Sequence, residues 1–214
     1  MKIPKAIKQT IEAFERLPGI GPKTAERLTF YLLHVPQGEL DRFAQSVQKL
    51  KTDTVICSEC FSVGESDPCD VCSDNKRDRS IICVVEQPLD VVALEKSGKY
   101  NGIYHVLHGK IDPLNNIGPD EIYIRQLLER IKKETEEPEG TKVKEIILAT
   151  NPTMEGEATA MYLASQLKAQ HPQFLPAGRQ VKITRIGRGL PTGADIEYAD
   201  PTTLDQAMMG RSEY

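Results

Sequence analysis

Four of the five cysteines fall at Cys57-x2-Cys60 and Cys69-x2-Cys72, with eight residues between the pairs. An x2 spacing lets two thiolates turn onto one ion, and so short a loop can close both pairs into a tetrahedral four-thiolate zinc site. Such a site has no open coordination position, so its metal is structural and the segment folds only when it is bound. Two disulfides or an iron–sulfur cluster would use the same ligands, although a cluster usually has other spacings. Upstream, Leu17-Pro18-Gly19-Ile20-Gly21-Pro22-Lys23-Thr24-Ala25-Glu26-Arg27-Leu28 combines two glycines, a helix-opening proline and cations at i and i+4. The glycines permit a tight turn, and amides around Gly21, Lys23 and Thr24 can donate to a phosphate with support from the helix dipole. Lys23 and Arg27 project from one face beside them. Contacts of this kind grip a nucleic-acid backbone without reading bases. The same residues would also serve a plain helix connection, with Ile20 and Leu28 in a core and both cations solvated.

The hairpin resembles a helix-hairpin-helix element, and a third constellation is acidic. Glu86 closes the run Val84-Val85-Glu86, and Leu148-Ala149-Thr150-Asn151-Pro152-Thr153-Met154-Glu155-Gly156-Glu157-Ala158 follows much later. Together they resemble the two metal-site motifs of a Toprim domain, where a Glu after the first strand and an Asp-x-Asp after a later one hold Mg2+ for phosphodiester chemistry. Asn151 and Thr153 stand at the aspartate positions, which takes two formal negative charges from a hard-cation site. Glu155 and Glu157 could be enlisted, yet acidic residues at the mouth of a helix also simply complement its dipole. His34, His105, His108 and His171 are scattered, and no nucleophile with an attendant base is identifiable. Tyr104 and Tyr162 are equally well read as packing residues.

These groups must be positioned by more than one kind of scaffold. Ile7, Ile11, Phe14 and Leu17 recur at helical spacing, Pro18 to Gly21 interrupts, and Pro22 reopens a helix carrying Ala25, Leu28, Tyr31 and Leu32. A third helix is expected over 38–51. Residues 55–79 have too few apolar side chains for a core, as a metal-organised module would. From 80 onward, short β-branched runs at 81–85, 103–107, 145–149 and 181–186 alternate with candidate helices at 88–97, 120–134 and 155–170. That alternation predicts a mainly parallel sheet with right-handed crossovers and helices on both faces. Cys83, inside an apolar run, reads as a small buried hydrophobe, and 134–144 as a charged solvent loop. The expected order is a helical domain at 1–54, a four-cysteine module at 55–79, an α/β Toprim-like domain at 80–184 and a C-terminal segment at 185–214, an α+β multidomain chain.

Composition bounds the reading. At 214 residues, 39% hydrophobic and 27% charged, the chain can bury a core without disulfides. No apolar run approaches a membrane span and the Lys-rich N-terminus has no signal-peptide character, so a cytoplasmic location is expected, where clustered cysteines point to metal or redox chemistry. The net charge is −4, which argues against indiscriminate coating of nucleic acid. It is unevenly spread: residues 1–55 carry nine Lys/Arg against six Asp/Glu, a local cationic footprint that coincides with the hairpin.

The collinear order of Leu17 to Lys23, the four cysteines, Asp78 to Glu86, Tyr104 to Gly109, Ala149 to Thr159 and Arg185-Ile186-Gly187-Arg188-Gly189-Leu190-Pro191-Thr192-Gly193 resembles the RecR family of bacterial recombination mediators, over residues 8–211. The resemblance implies a non-enzymatic, ring-shaped tetramer that encircles DNA through N- and C-terminal contacts. With RecO and RecF, such proteins help RecA replace single-strand-binding protein on gapped DNA. It further implies a DNA face around Gly19, Gly21, Lys23, Thr24 and Arg27, one Zn2+ on Cys57, Cys60, Cys69 and Cys72, and a partner-docking acidic patch at Glu86, Glu155 and Glu157. That family lacks the full acidic Toprim set, so Mg2+ is not expected. Pro176 to Gln180 is extra loop relative to the family. The alternatives are a Toprim-type Mg-dependent nuclease or nucleotidyl transferase, and a protein scaffold whose hairpin serves only dimerisation.

Overall fold

Apolar spacing in the N-terminal segment resolves into α1 (Lys5–Glu15), α2 (Pro22–Leu32) and α3 (Gln37–Lys49). Pro22 occupies the first position of α2, where a missing N–H is no loss. The computed structural model describes residues 3–136, 143–170 and 181–211, and the chain divides into two compact units, Met1–Asp53 and Thr54–Tyr214. The first unit packs α1 on α2 around Ile11, Ala25 and Thr29, and α3 buries no residue. Phe30, Tyr31, Leu33, Phe43, Val47 and Leu50 remain exposed.

In the second unit, β3 (Asp78–Val85), β4 (Gly102–Val106), β5 (Glu145–Leu148) and β6 (Lys182–Arg185) form a sheet in the order β4-β3-β5-β6 with every pair parallel. The connecting helices are α5 (Pro88–Lys96), α6 (Ile124–Glu136) and α7 (Met154–Gln170). Period-two alternation sends Ile82, Val84, Ile103, Ile146 and Leu148 to one face, against Leu127 and Ile131 of α6 and Leu163 and Leu167 of α7. Cys83, Val85, Tyr104 and Val106 face the other way, against Val91 and Leu94 of α5. The chain leaves β3 to one side for β4 and returns on the other as β5. The carboxyl ends of β3 and β5 therefore flank the switch point at which open α/β sheets bind ligands.

The cysteine segment contributes a two-residue hairpin, β1 (Val55–Ile56) with β2 (Val63–Gly64), and the single turn α4 (Asp70–Ser73). It lies along the outer edge of β4. The Val106 amide donates to the Cys60 carbonyl at 2.8 Å, and Arg130 Nη1 on α6 donates at 2.9 Å to both the Glu59 and Tyr104 carbonyls. Beyond β6, α8 (Pro201–Met209) is capped by the Asp200 side chain, which accepts from the Thr203 amide at 3.0 Å.

Two expectations change. The helix expected at 120–134 starts at Ile124, because the Tyr123 amide pairs with the Leu107 carbonyl at 2.9 Å and holds the preceding residues in a turn beside β4. The charged loop expected at 134–144 is encroached upon at both ends: α6 runs to Glu136, while Val143 is buried and Lys144 donates to the Ser80 carbonyl. The loop at 176–180 lies outside the described residues.

Leu163→Ala, in the fully buried α6–α7 face of the core, is expected to cost about 2–5 kcal/mol in chemical denaturation. Leu114→Ala, at a loop tip 92% exposed, should change stability by no more than about 0.5 kcal/mol.

Candidate functional site

The thiols of Cys57, Cys60, Cys69 and Cys72 lie within 4.8 Å of one another and all four residues are buried. Cys60 Sγ and Cys69 Sγ are 3.6 Å apart, far beyond a disulfide bond. A tetrahedral thiolate site with metal–sulfur bonds of about 2.3 Å has sulfur–sulfur edges of roughly 3.8 Å, so the donor set fits a metal ion. The amides of Ser62 and Cys69 point at Cys60 Sγ and Cys57 Sγ, each at 3.4 Å, and would offset thiolate charge. Thiolate formation is favoured at Cys60, whose pKa is lowered to about 6 by the hydrogen bond from Cys72 and, less, by the Ser62 amide. It is opposed at Cys69, pushed up to about 11 by burial, and at Cys72, raised by its bond to Cys60. One anion thus inhibits the next, and a divalent cation is the natural relief.

Residues that carry no motif fasten this cluster to the sheet. Phe61, in the left-handed region at φ 61, stacks on Tyr123 at 4.7 Å and meets His105 edge-on at 5.3 Å. His108 Nε2 bonds the Phe61 carbonyl, and His105 Nε2 bonds the Tyr123 carbonyl at 2.8 Å. Burial lowers the His105 pKa to about 3, so the ring is neutral and donates from Nε2. These two histidines, three residues apart at the end of a strand run, meet one knuckle, and only that place could have hinted at it.

In the hairpin, Gly19 sits at φ +79, which a side chain would resist, and Gly21 is the N-cap of α2. Lys23 and Arg27 are exposed on α2, and among the described residues no carboxylate pairs with either. The Thr24 amide donates to the Gly21 carbonyl at 3.0 Å, so of the amides singled out in the sequence it is already engaged.

At the switch point the geometry departs from a cation site. Glu86 is 5% exposed and accepts from Asn151 twice, Oε1 from the backbone amide and Oε2 from Nδ2, both at 2.8 Å. Asn151 therefore presents donors where Mg2+ would need anionic oxygen. Glu155 Oε2 pairs with Lys110 Nζ at 2.9 Å, a contact that holds its carboxyl below the ordinary range. Glu157 is bracketed by Arg185 at 2.7 Å and Arg188 at 3.0 Å. A Cβ on Gly156 would come within 2.1 Å of the Asn151 carbonyl and 2.7 Å of Glu86 Oε1, so the first turn of α7 is packed directly onto the pair. The acidic set does not fit Mg2+. Glu86, expected in a docking patch, is buried and held by Asn151, whereas Glu155 and Glu157 lie nearer solvent, each paired with a cation.

A parallel sheet with an acid after its first strand and neutral residues after the later one defines a Toprim domain without the acidic metal set, here joined to a helical hairpin and a four-cysteine cluster. Family models agree: the Toprim domain matches residues 80–186, the model described as RecR, helix-hairpin-helix matches 7–51, and RecR, C-terminal matches 189–212. Recombination protein RecR of Herpetosiphon aurantiacus is 45% identical over 210 residues, covering 98% of this chain and 95% of that protein. The chain belongs to the RecR family.

Removing the metal with a chelator, or replacing Cys60 with Ser, should accelerate hydrogen exchange at the Val106 amide, which donates to Cys60; an unchanged rate would show that the knuckle holds without metal. Asn151→Asp sets a second carboxylate against Glu86 and should destabilise by about 1–3 kcal/mol at neutral pH. One carboxyl of that pair titrates above its unfolded value, so the deficit is absent in acid and grows as pH rises through the raised pKa. Denaturation at several pH values, with and without Mg2+, checks this, and Mg2+ should not restore stability.

Proposed function

We propose that the chain is a non-enzymatic DNA-binding clamp and adaptor in recombinational repair. It assembles as a ring-shaped tetramer and, with RecO and RecF, helps RecA replace single-strand-binding protein on gapped DNA in the cytoplasm. The observation that carries this reading is the joint exposure of Lys23 and Arg27 on α2 beside the Gly19–Gly21 turn, in a segment with a surplus of positive charge. The similarity to a recombination protein supports the repair context.

Two cations per hairpin bind weakly, and several hairpins facing one channel bind firmly through effective concentration. Self-association is supported by the exposed apolar side chains of the N-terminal unit, Phe30, Tyr31 and Phe43 among them, and by Met208 and Met209 on α8. On this reading residues 1–54 carry the DNA face, 55–79 the metal, and 185–214 an oligomer contact. The metal is Zn2+, the ion best suited to a closed four-thiolate site. The engagement of both Glu86 oxygens by Asn151 favours an adaptor over a Mg-dependent nuclease. Glu155 and Glu157, with their partner cations, form a docking patch.

Lys23→Ala with Arg27→Ala is expected to abolish salt-sensitive DNA binding while leaving metal content and native mass unchanged. Each phosphate contact removed lowers the log–log salt slope by about 0.9. Unaltered affinity sinks the assigned DNA face, and an oligomer that never binds DNA favours the scaffold reading. Cleavage of gapped DNA with Mg2+ or Mn2+ that disappears in Glu86→Gln would overturn the adaptor.

A further inference from the structure

The two edges of the parallel sheet are treated differently. The outer groups of β4 are met by the cysteine knuckle and Arg130, as described above, and every residue of that strand is buried. The other edge is β6. Lys182 donates inward to the Lys144 carbonyl at 2.7 Å and Ile186 to the Leu148 carbonyl at 3.0 Å. With the parallel register Glu145↔Lys182 to Leu148↔Arg185, the two-residue period turns the amides and carbonyls of Ile183 and Arg185 outward. Among the described residues no backbone group pairs with them.

A groove of about 350 Å³ runs beside this edge, between β6 and α7. Its walls include Met161, Ala164 and Ile183, with Lys168 at the rim, and Met161 is 73% exposed. Outward-facing donors and acceptors next to an apolar trough are complementary to an extended strand, whose backbone extends the ladder while alternate side chains enter the trough. Charge selects among strands. Lys168 and Arg185 line the groove with Glu157, Arg188 pairs with that Glu157, and Lys182 lies on the edge strand in register with Glu145, which leaves two positive charges in surplus along this edge.

We propose that the β6 edge and the α7 groove are a docking site for an extended acidic segment of a partner protein, which adds as a fifth strand. The site uses residues other than those of the hairpin and borders the Glu155–Glu157 patch through Glu157, which lines the groove, so it gives the adaptor a partner surface built from the sheet edge.

The test uses the full-length protein and a short fluorescein-labelled peptide in which valine alternates with glutamate. A lysine-for-glutamate version and one N-methylated at alternate amides serve as controls. The acidic peptide should raise fluorescence anisotropy and slow hydrogen exchange at the Ile183 and Arg185 amides, while both controls bind at least ~10-fold more weakly. Lys168→Glu with Lys182→Glu should reverse the charge preference with folding unchanged by circular dichroism. Equal binding of the acidic and basic peptides, no binding, or protection of Ile183 and Arg185 before any peptide is added would each overturn the proposal. A change in native mass in Ile183→Pro, without peptide binding, would assign the edge to a second copy and likewise overturn it.

Discussion

The bond from the Val106 amide to the Cys60 carbonyl joins two parts that each lack something. The cysteine segment packs little apolar surface of its own beyond the thiols and Val71, with Val55, Ile56 and Val63 exposed, so it needs a metal and a surface to lie on. The sheet has a fully buried edge strand whose outward groups need partners, or they would invite pairing with another chain. Cys60 and Glu59 present carbonyls along that edge, Arg130 bridges the Glu59 and Tyr104 carbonyls, and Phe61 packs into the gap formed by Tyr123 and His105. The cysteine cluster is therefore a tertiary element of the α/β domain, fastened to a sheet edge.

The same economy is visible at the switch point. A Toprim arrangement needs its two strand ends held together, and in a metal-dependent relative the cation would do this. Here the Asn151 amide groups reach both oxygens of Glu86, a charge-assisted pair that crosslinks β3 and β5 without an ion. Lys110, Arg185 and Arg188 then neutralise the remaining acids. Arg185 also caps the carbonyls of Leu148 and Thr150, so it finishes the end of β5 as well as balancing charge.

Much of this was legible from residue types and spacing. Paired x2 cysteines constrain their own geometry, and β-branched runs separated by helical periods leave few topologies. The hairpin turn could be read because glycine and proline act locally. What was not legible depended on packing across the chain. His105 and His108 carry no motif, and their meeting with Phe61 follows from a register set 44 to 47 residues away, as the separation of their contacts records. Burial of Glu86 had the same origin: the motif identified a carboxylate but could not say that Asn151, 65 residues on, would close over it. The late start of α6 likewise came from a backbone bond made by Tyr123 to a loop, which outweighed helical propensity.

Gly156 carries one more consequence. Because its missing side chain lets α7 rest against the Asn151 carbonyl and Glu86, the Glu86–Asn151 pair is closed over by main chain as well as held by hydrogen bonds. Any side chain at position 156 would have to push the helix away from that pair. The crosslink between the ends of β3 and β5 is thus guarded by shape as well as by charge, and a substitution at position 156 would be felt across the whole first turn of α7.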